Sequence, residues 1–218
     1  MSGTEDQARE ALVGFAKSLF ARGFTVGSSG NISVRLKDGF LVTPTNSCFG
    51  DLHAEDISKL GADGTHVSGR QPSKEWAMHK AMLDTRPNDN AVVHLHSTYA
   101  TALSCLDGLD ENDCIPPLTP YFIMRVGRAK LLPYFRPGSS EIAAALSALN
   151  GQYTGVLLAN HGPVVCGASL ADAVYAAEEM EEASKIAMLT NRLAVRSLSA
   201  EQIDDLIATF GKPFPLKR

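Results

Sequence analysis

With 218 residues, 44% of them hydrophobic and 20% charged, the chain can bury a full core, and this composition excludes a disordered polymer. Its 24 acidic and 20 basic side chains give a formal charge of -4 with no basic stripe, which excludes a general nucleic-acid binder. The cysteines Cys48, Cys105, Cys114 and Cys166 lack CxxC spacing and the density of a disulfide scaffold, and they read as reduced thiols of a cytoplasmic protein.

The opening MSGTEDQARE carries early acidic residues and no basic stretch leading into an apolar block, so no secretory signal is expected. No apolar run reaches bilayer length, so no membrane partner is expected either. Ala8, Leu12, Phe15, Ala16 and Leu19 recur at helical spacing and predict an amphipathic helix over 5–22, ending near Gly23. Ile32, Val34 and Leu36 alternate before Asp38-Gly39 and the run Phe40 to Val42, the pattern of a two-stranded hairpin.

Asp56 to Leu60 reads as a short helical or turn segment, followed by a polar, glycine-bearing stretch to Gly69. A second helix is expected after Pro72, with Ser73 near its start, Glu75 in its first turns and Pro87 as its stop. Ala91 to Leu95 is a buried strand by composition and Thr98 to Leu106 a helix. Asp107 to Pro120, with Pro116-Pro117, is a connection able to carry function.

Residues 139–149 form an alanine-rich helix, Tyr153 to Leu158 a strand, and Gly162 to Gly167 a return strand or turn. A long helix spans Ser169 to Leu193. Its stretch Ala171 to Met188 suits core or subunit packing, and Glu178, Glu179, Glu181 and Glu182 include a solvated face. A short helix over about Ala200 to Thr209 precedes a surface tail, Pro213 to Arg218. Strands bordered by helices, with a hairpin among them, predict an α/β fold: a central mixed, largely antiparallel sheet covered by helices, in one domain over 1–218.

The strongest chemical signal is His94-Leu95-His96 at the end of Ala91-Val92-Val93. Side chains in a strand repeat with period two, so both imidazoles point to one face and Leu95 to the other. His161 follows another apolar strand and stands beside Gly162, where a sharp turn can bring a third imidazole across. Three imidazoles with open positions suit Zn²⁺, with Mn²⁺ or Co²⁺ as alternatives when substrate oxygens complete the shell. His53, His66 and His79 have weaker local context and are given no metal role.

Glu75, in PSKEW, suits the start of a helix electrostatically; facing the metal, it would serve as a fourth ligand or as an acid/base. Three segments offer donors to an anion: Ser28-Ser29-Gly30-Asn31, Thr43-Pro44-Thr45-Asn46-Ser47 and Ser73-Lys74. None has the GxxxxGK[ST] or GxGxxG pattern of a nucleotide site.

The ordered set SSGNIS, LVTPTNS, PSKEW, HLHS and NHG, within about Ala8 to Phe210, resembles the class II aldolase family, which includes fuculose phosphate aldolase, ribulose phosphate epimerase and the non-enzymatic adducin head domain. The resemblance implies a metal held by His94, His96 and His161, with Glu75 as acid/base or fourth ligand. It also implies phosphate held by Ser29, Gly30, Asn31, Thr45, Asn46, Ser73 and Lys74. Many sugar-phosphate aldolases have serine and glycine where this chain has Lys74 and Asn46.

PSKEW, HLHSTYATALSCL and PPLTPYFIMRVG together are similar to the branch of 3-oxo-tetronate 4-phosphate decarboxylases. That branch implies loss of carbon dioxide from the substrate through an enediolate, giving dihydroxyacetone phosphate. The family architecture implies a homotetramer with sites between subunits and a catalytic tyrosine from a neighbouring chain, for which Tyr121 is the candidate beside Tyr99 and Tyr134. The alternatives are a fuculose-phosphate-like aldolase, a pentulose-phosphate epimerase, and an adducin-like interaction module, which has no chemical need of three convergent imidazoles.

Overall fold

The computed structural model describes residues 4–211, so the tail Pro213 to Arg218 lies outside the described residues. The chain opens with α1 (Glu5–Ala21), where Thr4 and Gln7 form a reciprocal capping box: Thr4 Oγ1 accepts from the Gln7 N–H and the Gln7 side chain accepts from the Thr4 N–H. The hairpin follows as β1 (Asn31–Leu36) and β2 (Gly39–Val42), in the register Leu36 opposite Gly39. Next come β3 (Ser58–Gly61), β4 (His66–Ser68), α2 (Trp76–Thr85), β5 (Ala91–His94) and α3 (Thr98–Ser104). The second half contains α4 (Pro120–Arg125), β6 (Ala129–Leu132), α5 (Ser140–Ala148), β7 (Gly155–Leu158), β8 (Gly162–Gly167), α6 (Leu170–Thr190) and α7 (Ala200–Phe210).

The strands form one sheet in the order β4-β3-β2-β1-β5-β8-β7-β6. Every pairing is antiparallel except β6 with β7, so the sheet is mixed and largely antiparallel, as the strand and hairpin pattern predicts. Helices cover both faces, and the period-two alternation of the central strands sorts the core into two clusters. Ile32, Ala91, Val93, Leu95, Leu157 and Val165 pack with α1, α3, α4 and α6. Val42, Val92, Val156, Leu158, Val164 and Cys166 pack with α2 and α5 on the opposite face.

Two features differ from the sequence expectation, at Asp56 to Leu60 and at Glu75. Asp56 to Leu60 is not helical beyond a single 3₁₀ turn at Ala54–Asp56; Ser58–Gly61 is a strand paired along its whole length with β2. Lys59 hides there because its ammonium is met by Glu5 at 2.8 Å and Asp38 at 2.9 Å. The connection from Asp107 carries no helix or strand until Pro120, as expected, and leads into α4 and β6, which have no counterpart among the expected elements; Pro120 occupies the first turn of α4, where its missing N–H costs nothing. Glu75 precedes α2 at the N-cap position rather than lying inside it, and its side chain makes no capping hydrogen bond, which frees the carboxyl group for the sheet.

The glutamates of α6 also divide more sharply than expected. Glu178 pairs with Arg22, Glu181 accepts from the N–H groups of Tyr99 and Ala100 at the start of α3, and of the four only Glu182 is exposed. The four cysteines are free thiols. No helix among the described residues is long and apolar enough to cross a membrane.

Candidate metal centre

β5 lies in the middle of the sheet between β1 and β8, which puts His94 opposite Asn31 on one side and Val164 on the other. Its alternation sends Val92 toward the α2 and α5 layer while Ala91, Val93 and Leu95 face the other core. His94 and His96 share the face of Val92 by the same parity, and their Nε2 atoms stand 3.0 Å apart. His94 Nδ1 lies 2.8 Å from the Pro163 carbonyl oxygen. A carbonyl only accepts, so Nδ1 carries the proton and Nε2 presents its lone pair to the site.

His161 arrives from the connection between β7 and β8. The turn needs two unusual backbone conformations, Asn160 at φ 56° and Gly162 at φ 152°. A Cβ on Gly162 would stand 2.3 Å from the Leu95 carbonyl oxygen, so only glycine lets this turn close against the HLH segment. On the opposite side Gly30, at φ 84°, brings the SSGN loop to within 3.0 Å of the His94 carbonyl, measured from where a Cβ would be.

Glu75 completes the cluster: Oε2 lies 3.5 Å from His94 Nε2, and Oε1 lies 3.5 Å from His161 Nε2. The ligand atoms of Glu75, His94, His96 and His161 all fall within 4.8 Å of one another. Glu75 Oε1 and both ring nitrogens of His161 are buried and have no hydrogen-bond partner among the described residues. Burial lowers the pKa of all three imidazoles, and the neighbouring rings of the cluster lower those of His94 and His96 further. Neutral imidazoles, buried donor atoms without partners and an adjacent carboxyl group are the requirements of a divalent-cation site, and the four residues fit one.

Beside the cluster opens a cavity of about 190 Å³. Ser29, Gly30, Asn31, Thr45, Asn46, Ser73 and Lys74 line it together with Glu75 and His96, so the three segments that offer hydroxyl, amide and lysine donors meet in one place. Asn46 has φ 52°, a conformation that glycine adopts freely and asparagine tolerates, which explains how asparagine is accommodated there. Pro137 and Gly138 form another wall, not anticipated from the sequence; a Pro-Gly pair signals a turn but does not tie it to a site.

Tyr121 lies on α4, 63% exposed, and is absent from the cavity lining. His53 and His66 lie outside the cluster. His79 is different: it is fully buried, with Nδ1 2.8 Å from Ser33 Oγ and Nε2 hydrogen-bonded to Asn31 Oδ1. Its position four residues after Glu75, one turn along the same helical face, was the signal that could have linked it to the site.

The class II aldolase and adducin N-terminal domain profile matches residues 10–188. A 3-oxo-tetronate 4-phosphate decarboxylase of Escherichia coli strain CFT073 is 48% identical over 203 residues, covering 93% of this chain and 96% of that protein. An L-fuculose phosphate aldolase of Haemophilus influenzae is 33% identical over 203 residues, with 86% of each chain covered. The crystal structure of YgbL from Klebsiella pneumoniae superposes with a TM-score of 0.91 at 46% identity, over 94% of this chain and 99% of that one. Together with the donor cluster, these similarities mark a metal-dependent enzyme of the decarboxylase and aldolase type. The chain belongs to the class II aldolase and adducin N-terminal domain family, and within it stands close to the 3-oxo-tetronate 4-phosphate decarboxylase and YgbL branch.

Proposed function

We propose that the chain is a cytoplasmic, single-domain decarboxylase that releases carbon dioxide from a 3-oxo-tetronate 4-phosphate and leaves dihydroxyacetone phosphate. The observation that carries this reading is the convergence of Glu75, His94, His96 and His161 on the edge of a cavity walled by hydroxyl, amide and lysine side chains. Identity of 48% to the Escherichia coli decarboxylase across nearly the whole chain supports the choice of substrate.

His94, His96 and His161 would hold the cation, with Glu75 as a fourth ligand in the absence of substrate and free to exchange a proton once substrate is bound, and a site rich in imidazole favours Zn²⁺ over Mn²⁺ or Co²⁺. A divalent cation there supplies Lewis acidity, which lowers the cost of negative charge on a substrate oxygen. The protein's own groups do the rest. Ser29, Gly30, Asn31, Thr45, Asn46 and Ser73 offer hydroxyl, amide and backbone donors to the phosphate, and Lys74 adds a point charge. With the phosphate fixed at one end of the cavity, C2 and the carboxylate of the substrate are directed to the end where Glu75 and His96 stand.

Loss of carbon dioxide leaves an electron pair that must be quenched by one proton at C2. Glu75 is the side chain of this subunit able to hold that proton. Tyr121 is the second donor we assign, reaching a neighbouring subunit's cavity in a homotetramer, and its outward position on α4 suits that role. The test is incubation of metal-loaded protein with the tetronate: equimolar carbon dioxide and dihydroxyacetone phosphate support the assignment. Robust aldol cleavage of a ketose phosphate without decarboxylation replaces it with the aldolase reading.

A further inference from the structure

One buried imidazole has no part in cation or phosphate binding. His79 sits on the first turns of α2 and reaches across to β1, where alternation puts Asn31 and Ser33 on the same face. Asn31 continues the connection by donating from Nδ2 to Glu75 Oε2 at 2.9 Å. Ser33, His79, Asn31 and Glu75 therefore form an unbroken line of hydrogen bonds that starts inside the protein and ends at the metal centre.

The polarity of that line is fixed from its outer end. The Glu75 oxygen accepts from the NH₂ of Asn31, so the amide oxygen of Asn31 faces His79. An amide oxygen only accepts, so the proton of His79 is on Nε2. Nδ1 then carries the lone pair and takes its hydrogen bond from the Ser33 hydroxyl. Turning the Asn31 amide over would set its oxygen against the Glu75 carboxyl oxygen and its NH₂ against the His79 Nε2–H, so it would also require the imidazole proton to move to Nδ1. A residue that served only to fill the core would need none of these polar contacts, and an apolar side chain would fill the space at lower desolvation cost.

We propose that His79 is a positioning residue for the metal centre: through Asn31 it fixes the orientation of the Glu75 carboxyl group, holding Oε2 and leaving Oε1 turned toward His161. The inference rests on the reading of Glu75 as part of that centre. Asn31 also lines the cavity, so the same amide that aligns Glu75 borders the phosphate pocket.

The test is a thermodynamic cycle on Co²⁺ affinity, measured by chelator competition, together with the visible spectrum of the Co²⁺ protein and no substrate present. His79→Phe is expected to weaken Co²⁺ binding by about 10- to 100-fold, the usual range for losing a partner of a metal ligand, and to alter the d–d bands. His79→Gln, which offers both a donor and an acceptor, is expected to recover most of the affinity. In a Glu75→Ala background the His79→Phe change is expected to have no further effect, because its influence passes through that carboxyl group.

Should His79→Phe not fold, Ser33→Ala in the same cycle reads the same coupling, with a smaller loss. Additive losses in the cycle, or folded His79→Phe and Ser33→Ala proteins with unchanged affinity and spectrum, overturn the proposal. A wild-type Co²⁺ protein that shows the coupling yet releases no carbon dioxide from the tetronate retains this inference and overturns only the assigned reaction.

Discussion

His161 Nε2 lies 3.5 Å from Glu75 Oε1, both atoms are buried, and neither has a hydrogen-bond partner among the described residues. Two polar atoms left in this way would each cost roughly 1–3 kcal/mol in a site with no further ligand. The arrangement is sustained by the surrounding backbone: the Gly162 turn holds His161 from one side and the N-cap position before α2 holds Glu75 from the other. A cation between them would turn the cost into a favourable interaction.

The turn gives the first prediction. Gly162→Ala puts a Cβ 2.3 Å from the Leu95 carbonyl oxygen at a φ of 152°, so the turn must move away from the HLH segment. Stability in urea is expected to fall by about 2 kcal/mol or more, with a parallel loss of metal affinity as His161 shifts. Unchanged affinity in the folded variant would show that His161 is not held by this turn.

The pH dependence of the metal-free protein has a defined sign. Burial is the main cause that lowers the His79 pKa from 6.5 to about 3, so between those values the unfolded chain binds a proton that the folded protein does not. Stability is fully present above 6.5 and is lost as the pH falls toward about 3, with a slope of up to ~1.4 kcal/mol per pH unit for this one residue. Urea unfolding in the presence of chelator, from pH 7 to pH 4, is expected to show a shallower slope for His79→Gln. Equal slopes would mean that His79 does not titrate in this way.

Lys74 is exposed at the cavity and adds a positive charge to its lining. Its ammonium is screened, so the expected effect of Lys74→Ala is moderate: about a tenfold rise in KM for the phosphorylated substrate, near the low end for hydrogen bonds to charged groups, with little change in kcat. The difference should shrink as salt is raised. A fall in kcat at constant KM would move Lys74 from phosphate binding into the chemical step.

Much of this site was legible because its signals are short-range. HLH at a strand end and NHG beside a glycine are local patterns, and the three donor-bearing segments that line the cavity are turn sequences recognisable one at a time. What escaped reading depends on pairing across the sheet. Ser58–Gly61 has no period of its own and is a strand because β2 lies beside it. The same holds for His79: its partners Asn31 and Ser33 come from β1, and only the β1–β5 register brings them beside His94 and Glu75. Glu75 was expected inside the helix, and its place just before α2 is what lets its side chain turn toward the imidazoles.

If Tyr121 serves a neighbouring subunit, two inactive variants should complement each other. Tyr121→Phe and His94→Ala homo-oligomers are each expected to show little activity, whereas hybrids formed by mixing dissociated subunits should regain part of it. In those hybrids some sites combine an intact imidazole set with an intact tyrosine. Failure of verified hybrids to regain activity, or full activity of Tyr121→Phe alone, would remove Tyr121 from the mechanism.

The most direct test of the central claim is anomalous diffraction at the cobalt or zinc edge from crystals of the metal-loaded protein. A single strong peak is expected within roughly 2.0–2.3 Å of Nε2 of His94, His96 and His161, with a Glu75 oxygen completing the shell in the absence of substrate. A peak on other residues, or none at stoichiometric metal, would contradict the assignment of these four side chains to one cation.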